Sequence, residues 1–515
     1  MHYFRIPPEL WQDRLRKLRA AGLNTVETSI AWNIHHPNIN DLEFGDGGTE
    51  LEAWANLTGF IRLAQQEDLF VIVRLGPYIS ADWEFGGLPS WLLSVETMEI
   101  RQYNAYFLSN VGKYFGDMLS ILSKLQFTNG GPIIMFQVEH ELAYSPYPNA
   151  EYLQILYELI QYLDIVELLS SCDGASSGQN GTLPGLLFQT IEFGSEIALN
   201  FGKLEEMQPN KPVMAMEFYS GWADHWTEQH RTRDLIDFRD NYEQALAWPG
   251  SVNLYMFHGG TNWGFMNGAN NGVGDNSNFQ PITTSYDFDA PLTEAGDYTP
   301  KYDAIRELMK KYNTIETFTP DPPEVKGHKH RTRLKIVFNL WENLPINDDC
   351  GQSYGYIVYH LDGLNITANT LLAIIDHVHD TVMVLVNGVL MSNALTSSDR
   401  LDTFGNRLFL TYKELGCEMW TIYPLEFKRS WNQNLSDWEP VDDLVTGPAL
   451  AWVKGFVIVN GIVVGRYATA LGPQQALYLP GPWLHKGDNE IIVFEHSPWP
   501  ASQIKFTKDP IYNNP

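Results

Sequence analysis

The sequence predicts an α/β chain: a (β/α)8 barrel of the TIM type followed by all-β domains of jelly-roll or sandwich type. Strand-like and helix-like segments alternate up to about residue 315, the rhythm of strand–helix units around a parallel sheet. Beyond the prolines Pro320–Pro323 the helical period stops. Short alternating runs punctuated by Asn387-Gly388 and Asn460-Gly461 replace it, a hairpin signature.

In order, His2–Arg5 reads as a first short strand. Pro8 suits the first turn of a helix running to Leu18, and Gly22 ends it. Thr25–Trp32 is the second strand, Leu51–Gln66 a helix and Phe70–Arg74 the third strand. A long helix over Asn104–Leu125 leads to the fourth strand, within Gly130–Glu141. Its run Ile133-Ile134-Met135-Phe136 is apolar enough to be buried on both faces. Glu151–Leu163 is helical, Val166–Cys172 is the fifth strand, and Ile197–Asn200 is expected as a short sixth. Val213–Phe218 is the seventh strand, Leu235–Ala247 a helix, Val252–Phe257 the eighth strand and Lys301–Tyr312 the closing helix. Gly259–Phe279, rich in Gly and Asn, is a long loop at the C-terminal mouth. A doubly wound open sheet is the competing fold, but no glycine-rich phosphate turn follows the first strands.

The later strands are expected at Leu334–Leu340, Ser353–Leu361, Thr381–Val386, Gly455–Val459, Ile462–Tyr467, Ala476–Leu479 and Glu490–Glu495. The division expected is a barrel over 1–318, a β-rich domain over 324–425 and a C-terminal jelly roll over 426–515.

The chain has 515 residues, 44% apolar and 19% charged, the composition of a globular multidomain protein. Its 34 Lys+Arg against 62 Asp+Glu give a formal charge of -28, which excludes nucleic acid or an anionic membrane as a natural partner. No run is long enough for a membrane-spanning helix. Three cysteines (Cys172, Cys350, Cys417) form no disulfide framework and sit at no metal-ligand spacing. Sequons at Asn56, Asn180, Asn365 and Asn434 favour the secretory pathway. Many aromatics (16 Trp, 25 Tyr, 26 Phe) suit the apolar faces of sugars as well as large cores.

The chemistry lies where apolar strands run into acids. Gln137-Val-Glu139-His140-Glu141 ends one strand, and Glu217 closes Pro212-Val-Met-Ala-Met-Glu217-Phe-Tyr-Ser-Gly-Trp222. Two carboxyls at inner-strand ends, one protonating a leaving oxygen and one attacking an anomeric carbon, are what glycoside hydrolysis with retention needs, about 5–5.5 Å apart. Rim ion pairs are the plainer reading. Glu139 rivals Glu141, since strand alternation sends both to one side. Trp222 offers a platform for a sugar ring and Tyr255 a hydroxyl, unless both are core. His35, His36, His140, His225, His230 and His258 form no H-E-x-x-H or comparable metal set, and Ser220-Gly221 is no nucleophile elbow.

These segments resemble glycoside hydrolase family 35, the β-galactosidases that include the lysosomal enzyme. The resemblance runs through His2-Tyr-Phe-Arg-Ile-Pro7, Gly76-Pro-Tyr-Ile-Ser-Ala-Asp-Trp-Glu-Phe-Gly-Gly-Leu-Pro89, Gly130–Glu141, Glu217–Trp226, Asn253–Asn262, Ser285–Gly296 and Gly455–Gly461. It implies a retaining exo-β-galactosidase acting on β-linked galactosyl glycans, with no cofactor or metal. Glu141 would be the acid/base and Glu217 the nucleophile, with Trp222 and Tyr255 in the sugar pocket. It also implies secretory, lysosomal or extracellular placement, a first strand lying before Met1, and a site altered at four sugar contacts. His140 stands where the family has Asn, Ser29 replaces Tyr, Asp82 replaces Glu, and Phe288 replaces Tyr. Those losses leave two alternatives: a glycosidase of shifted sugar specificity, or a catalytically impaired glycan-binding paralogue.

Overall fold

The computed structural model describes residues 1–313 apart from 41, 46–53, 96, 146–147 and 271–279. It also describes 319–323, strand segments at 332–333, 356–360, 385–386, 389–390 and 421–425, and 454–512 without 469–470, 488, 496–505 and 508. Seven parallel strands in sequential order, β1 (Thr25–Ser29), β2 (Phe70–Gly76), β3 (Ile133–Val138), β4 (Leu168–Gly174), β5 (Phe188–Phe193), β6 (Met214–Tyr219) and β7 (Ser251–Tyr255), form a nearly closed barrel. Its helices are α1 (Trp11–Ala20), α2 (Trp32–His35), α3 (Leu57–Gln66), α4 (Ala105–Leu122), α5 (Ala150–Tyr162), α6 (Ile197–Met207), α7 (Leu235–Ala247) and α8 (Pro300–Tyr312). This is a (β/α)8-type fold.

The helix starts follow capping chemistry. Asn56, Asn104, Asn149 and Asp234 each accept a backbone N–H from the first turn of α3, α4, α5 and α7. Ile72, Met135, Cys172, Met214 and Met216 fill the barrel lumen, while the larger apolar core lies between strands and helices. The strands are therefore buried on both faces, as the apolar runs require.

Two expected strands are something else. His2–Arg5 contributes a 3-10 turn, Tyr3–Arg5. It lies between β1 and the stretch after β7, because Tyr3 N–H donates to Thr28 Oγ1 (3.3 Å) and Arg5 O accepts from Thr261 N–H (3.0 Å). Ile197–Asn200 is the first turn of α6, and the strand expected there is Phe188–Phe193. Glu141 thus follows the third observed strand and Glu217 lies in the sixth, not the fourth and seventh.

In the C-terminal part, Lys454–Val459 and Ile462–Ala468 form the expected hairpin around Asn460-Gly461, both at positive φ (50° and 83°). Asn489–Glu495 pairs antiparallel with Lys454–Val459, whereas Ala476–Leu479 lies outside any strand. Tyr356–His360 and Leu385–Val386 fall on expected strands, and Val389–Leu390 is a strand beyond them; Leu334–Leu340 and Asn387-Gly388 lie outside the described residues. The sheet seats on the barrel through Trp54, Trp263 and Trp483, with Val459, Val464, Ile491 and Val493 beneath them. Thr284 Oγ1 donates to Arg466 O (2.6 Å), and Ser285 N–H to Gln474 Oε1 (2.9 Å).

Arg5 ties three segments together. Its guanidinium, fully buried, donates to Asn262 Oδ1 (2.8 Å), Ala81 O (2.7 Å) and Asp82 O (3.2 Å) and stacks 3.7 Å over Tyr286. Replacing it by Met leaves those acceptors unpaired. Arg5→Met is expected to cost about 3 kcal/mol or more, read as a lower urea midpoint with an unchanged slope.

Candidate active site

Arg74, at the C-terminal end of β2, is fully buried at the centre of the mouth. One Nη donates to Glu217 Oε1 at 2.6 Å, the other to Ile79 O at 3.2 Å, and Nε lies 3.4 Å from Glu27 Oε1. Guanidinium does not give up its proton in proteins, so it favours the carboxylate form of Glu217. Burial pushes Glu217 upward, Arg74 opposes it, and Glu141 adds to the rise. The balance leaves the Glu217 pKa raised to about 8, with the bond from Arg74 limiting the rise.

Past the end of β3 the chain changes hand. Glu139 and Glu141 both take left-handed backbone (φ 58° and 50°), so strand alternation no longer holds. The expectation that both face one side is overturned. Glu139 turns back under the surface, accepting from Tyr152 Oη (2.6 Å) and Arg101 (2.9 Å). Glu141 opens to the mouth, about a third exposed at its side chain. Burial of its carboxyl raises its pKa; a hydrogen bond from Ser80 opposes the rise and Asp82 adds to it.

His140 stands between the two acids. Its Nε2 is 3.2 Å from Glu217 Oε1, 3.7 Å from Glu141 Oε2 and 3.8 Å from Glu192 Oε2. Gln137 Nε2 donates to Glu139 O (2.9 Å) and faces Nδ1 at 3.0 Å, so Nδ1 accepts and the ring proton resides on Nε2. Burial, aided by Arg74 and Arg101, holds the imidazole well below its usual pKa, hence neutral.

The other expected positions gather around this centre. Tyr255, closing β7, carries a raised pKa from burial and Glu217, and its hydroxyl lies 3.3 Å from that of Tyr286. Arg74 lies 5.7 Å from its ring centre. Phe288 packs 5.5 Å from Tyr255 and 6.1 Å from Trp222, the last of which is 41% exposed and stands edge-on to Tyr219. Asp82, left-handed at φ 48°, accepts from Tyr286 Oη (2.8 Å) and Asn270 (3.3 Å). Ser29, opposite Arg74 in the β1–β2 register, has a buried hydroxyl without a hydrogen-bond partner.

Three members of the cluster escaped the sequence. Glu192 of β5 is the register partner of Glu217, and burial followed by Glu141 and Glu217 raises its pKa strongly. The signal for Glu192 was weak, an acid following the alternating Phe188-Gln-Thr-Ile191, and it was hidden by a strand placed too late. Cys172 Sγ lies 4.0 Å from Glu192 Oε2. Asp173, next along β4, accepts from Ala143 N–H (2.8 Å), yet burial pushes its pKa up to about 7.

A parallel barrel whose strand ends bring several acids around one buried arginine has the paired carboxyls that glycoside hydrolysis needs. Residues 1–312 match the family described as glycosyl hydrolases family 35, and 444–489 match the galactose-binding domain of β-galactosidases. The chain belongs to family 35. It is 35% identical to β-galactosidase-1-like protein 3 of Homo sapiens, over 99% of this chain and 86% of that protein. It is 33% identical to β-galactosidase 1 of Dictyostelium discoideum (99% and 90%) and 32% identical to β-galactosidase of Canis lupus familiaris (100% and 89%). Among solved structures, the endo-β-1,4-mannanase of Thermotoga petrophila aligns with a TM-score of 0.43 and 14% identity over 61% of this chain and 76% of that one, too remote to bear on function.

Asp173 yields a stability prediction. Below about pH 4 its carboxyl is protonated both folded and unfolded and contributes no pH dependence. Between there and its raised value of about 7 the folded protein holds a proton the unfolded chain has released, so stability falls as pH rises. Asp173→Asn should remove that slope, at most about 1.4 kcal/mol per pH unit in this window. Urea denaturation of both proteins between pH 4 and 7 measures the difference, and parallel curves would contradict it.

Proposed function

We propose that the protein is a retaining exo-glycosidase that removes terminal, non-reducing β-D-galactose from glycans. The observation that carries the proposal is that one imidazole nitrogen reaches both Glu217 (3.2 Å) and Glu141 (3.7 Å). These oxygens are therefore no more than about 7 Å apart, a bound that admits the retaining spacing of ~5–5.5 Å and rules out most of the inverting range, ~6.5–9.5 Å. Glu217, in the carboxylate form that the bond from Arg74 favours, attacks the anomeric carbon while Glu141 passes its proton to the departing oxygen. A glycosyl ester on Glu217 results. Glu141, now carboxylate, takes a proton from water as that water attacks the same carbon, freeing the sugar and restoring both acids. Burial favours the proton on Glu141 at the start, as the acid step requires.

Support for galactose comes from the family and from relatives named β-galactosidases. The wall of the pocket supports a second reading, a shifted sugar. Both carboxylate oxygens of Asp82 are already engaged by Tyr286 and Asn270, and Phe288 presents no hydroxyl. A site that pairs fewer sugar hydroxyls discriminates differently among epimers. Exposed Asn56 and Asn180 in their sequons support a secretory or lysosomal setting.

Release of nitrophenol from β-galactoside, β-glucoside and β-N-acetylglucosaminide tests both readings. Glu217→Gln, verified as folded by circular dichroism, should show no turnover; a folded, active Gln variant overturns the assignment. Glu141→Ala should lose about 10²–10⁴-fold in rate, and azide should restore turnover with β-glycosyl azide as product. An α-azide would mean inversion. Loss of activity as pH rises through the raised pKa of Glu141 should mark the alkaline limb of the profile.

A further inference from the structure

The geometry points to a soft divalent-cation site formed by His140, Cys172 and Glu192, at which Zn2+ closes the catalytic mouth. Binding stands on these residues alone; only its inhibitory consequence rests on the function proposed above. Three successive strands supply the donors: His140 follows β3, Cys172 lies in β4 and Glu192 in β5. His140 Nε2 is 3.8 Å and Cys172 Sγ 4.0 Å from Glu192 Oε2, and the three ligand atoms lie within 4.8 Å of one another. Zinc bonds of about 2.0–2.1 Å to N or O and about 2.3 Å to S set tetrahedral donors roughly 3.3–3.7 Å apart. Small side-chain rotations close the triangle.

Charge and chemistry agree with a cation there. Glu141, Glu192, Glu217 and Asp173 converge at this point, while Arg74 is committed to Glu217 and Glu27. The imidazole is 3% exposed, and its Nε2 edge is turned toward the acids rather than toward Gln137. Thiolate, imidazole and one carboxylate select Zn2+ or Cd2+ over Mg2+ and Ca2+, which take oxygen donors.

Ligation has a defined proton balance. Cys172 loses its thiol proton to solvent and binds as thiolate, and Glu192 binds as carboxylate, releasing its proton where it holds one. His140 stays neutral: the proton on Nε2 moves to Nδ1 and the freed Nε2 lone pair binds the metal. Gln137 then has to turn its amide, giving up its bond to Glu139 O and offering its buried, partnerless Oε1 to Nδ1–H. The fourth position faces Glu217 and Glu141, so bound Zn2+ occupies the space the anomeric carbon must enter and competes with substrate.

The test uses Zn2+ and Co2+ with the full chain and with Cys172→Ser, which keeps the shape of the site and removes the thiolate. Isothermal titration should show Zn2+ bound by the unaltered protein and at least tenfold weaker binding by Cys172→Ser. Titration with Co2+ should give thiolate-to-cobalt charge-transfer absorption in the near ultraviolet, absent from Cys172→Ser. Zn2+ should inhibit aryl-galactoside hydrolysis competitively, reversed by chelator, with the Ser variant at least tenfold less sensitive; Mg2+ should do neither. Equal Zn2+ binding by both proteins, or no charge-transfer band, overturns the site. If no glycoside is hydrolysed at all, titration and spectrum still decide the metal question, and the failure belongs to the proposed function instead.

Discussion

The mouth of this barrel depends on one buried cation. A guanidinium with no access to water is tolerable only when acids surround it, and buried acids are tolerable only when a cation or proton neutralises them. Arg74 meets both conditions, with Glu217 at 2.6 Å and Glu27 at 3.4 Å. Burial raises the proton affinity of Glu141, Glu192 and Asp173, and of Glu217 as well. Arg74 opposes the rise most directly at Glu217, the carboxyl it touches.

Much of this was legible in the chain. The barrel class, six of its seven strands, and both acids at strand ends follow from apolar runs interrupted by polar residues. Such runs are informative because a strand buried on both faces has few ways to be spelled. The failures have physical causes too. Ile197–Asn200 is apolar but sits at the start of an amphipathic helix, so a four-residue window could not separate the two periods. His2–Arg5 is aromatic, yet packing around the Arg5 side chain holds it in a turn. Glu139 and Glu141 looked equivalent because alternation assumes extended backbone, and two left-handed residues cancel that assumption. Nothing local encodes the meeting of His140, Cys172 and Glu192, which closure of the barrel alone brings about.

The neutral imidazole changes the character of the floor of the pocket. With its Nδ1 lone pair facing Gln137, His140 offers a single N–H among three carboxyls. A primary amide at that place would present two donors and one acceptor. Fewer polar contacts are thus available to a ligand on this wall, and Phe288 and the engaged Asp82 narrow them further on the other.

The bracing of Thr284 and Ser285 by Arg466 and Gln474 bears on how such a protein can be taken apart. The stretch bearing Tyr286 and Phe288 is fastened from outside the barrel by residues almost two hundred positions later. A boundary drawn at the end of α8 would therefore separate the pocket from its own scaffold. Exchanging the barrel or the C-terminal sheet for a homologue's counterpart has to preserve that seam before any graft of the pocket can succeed.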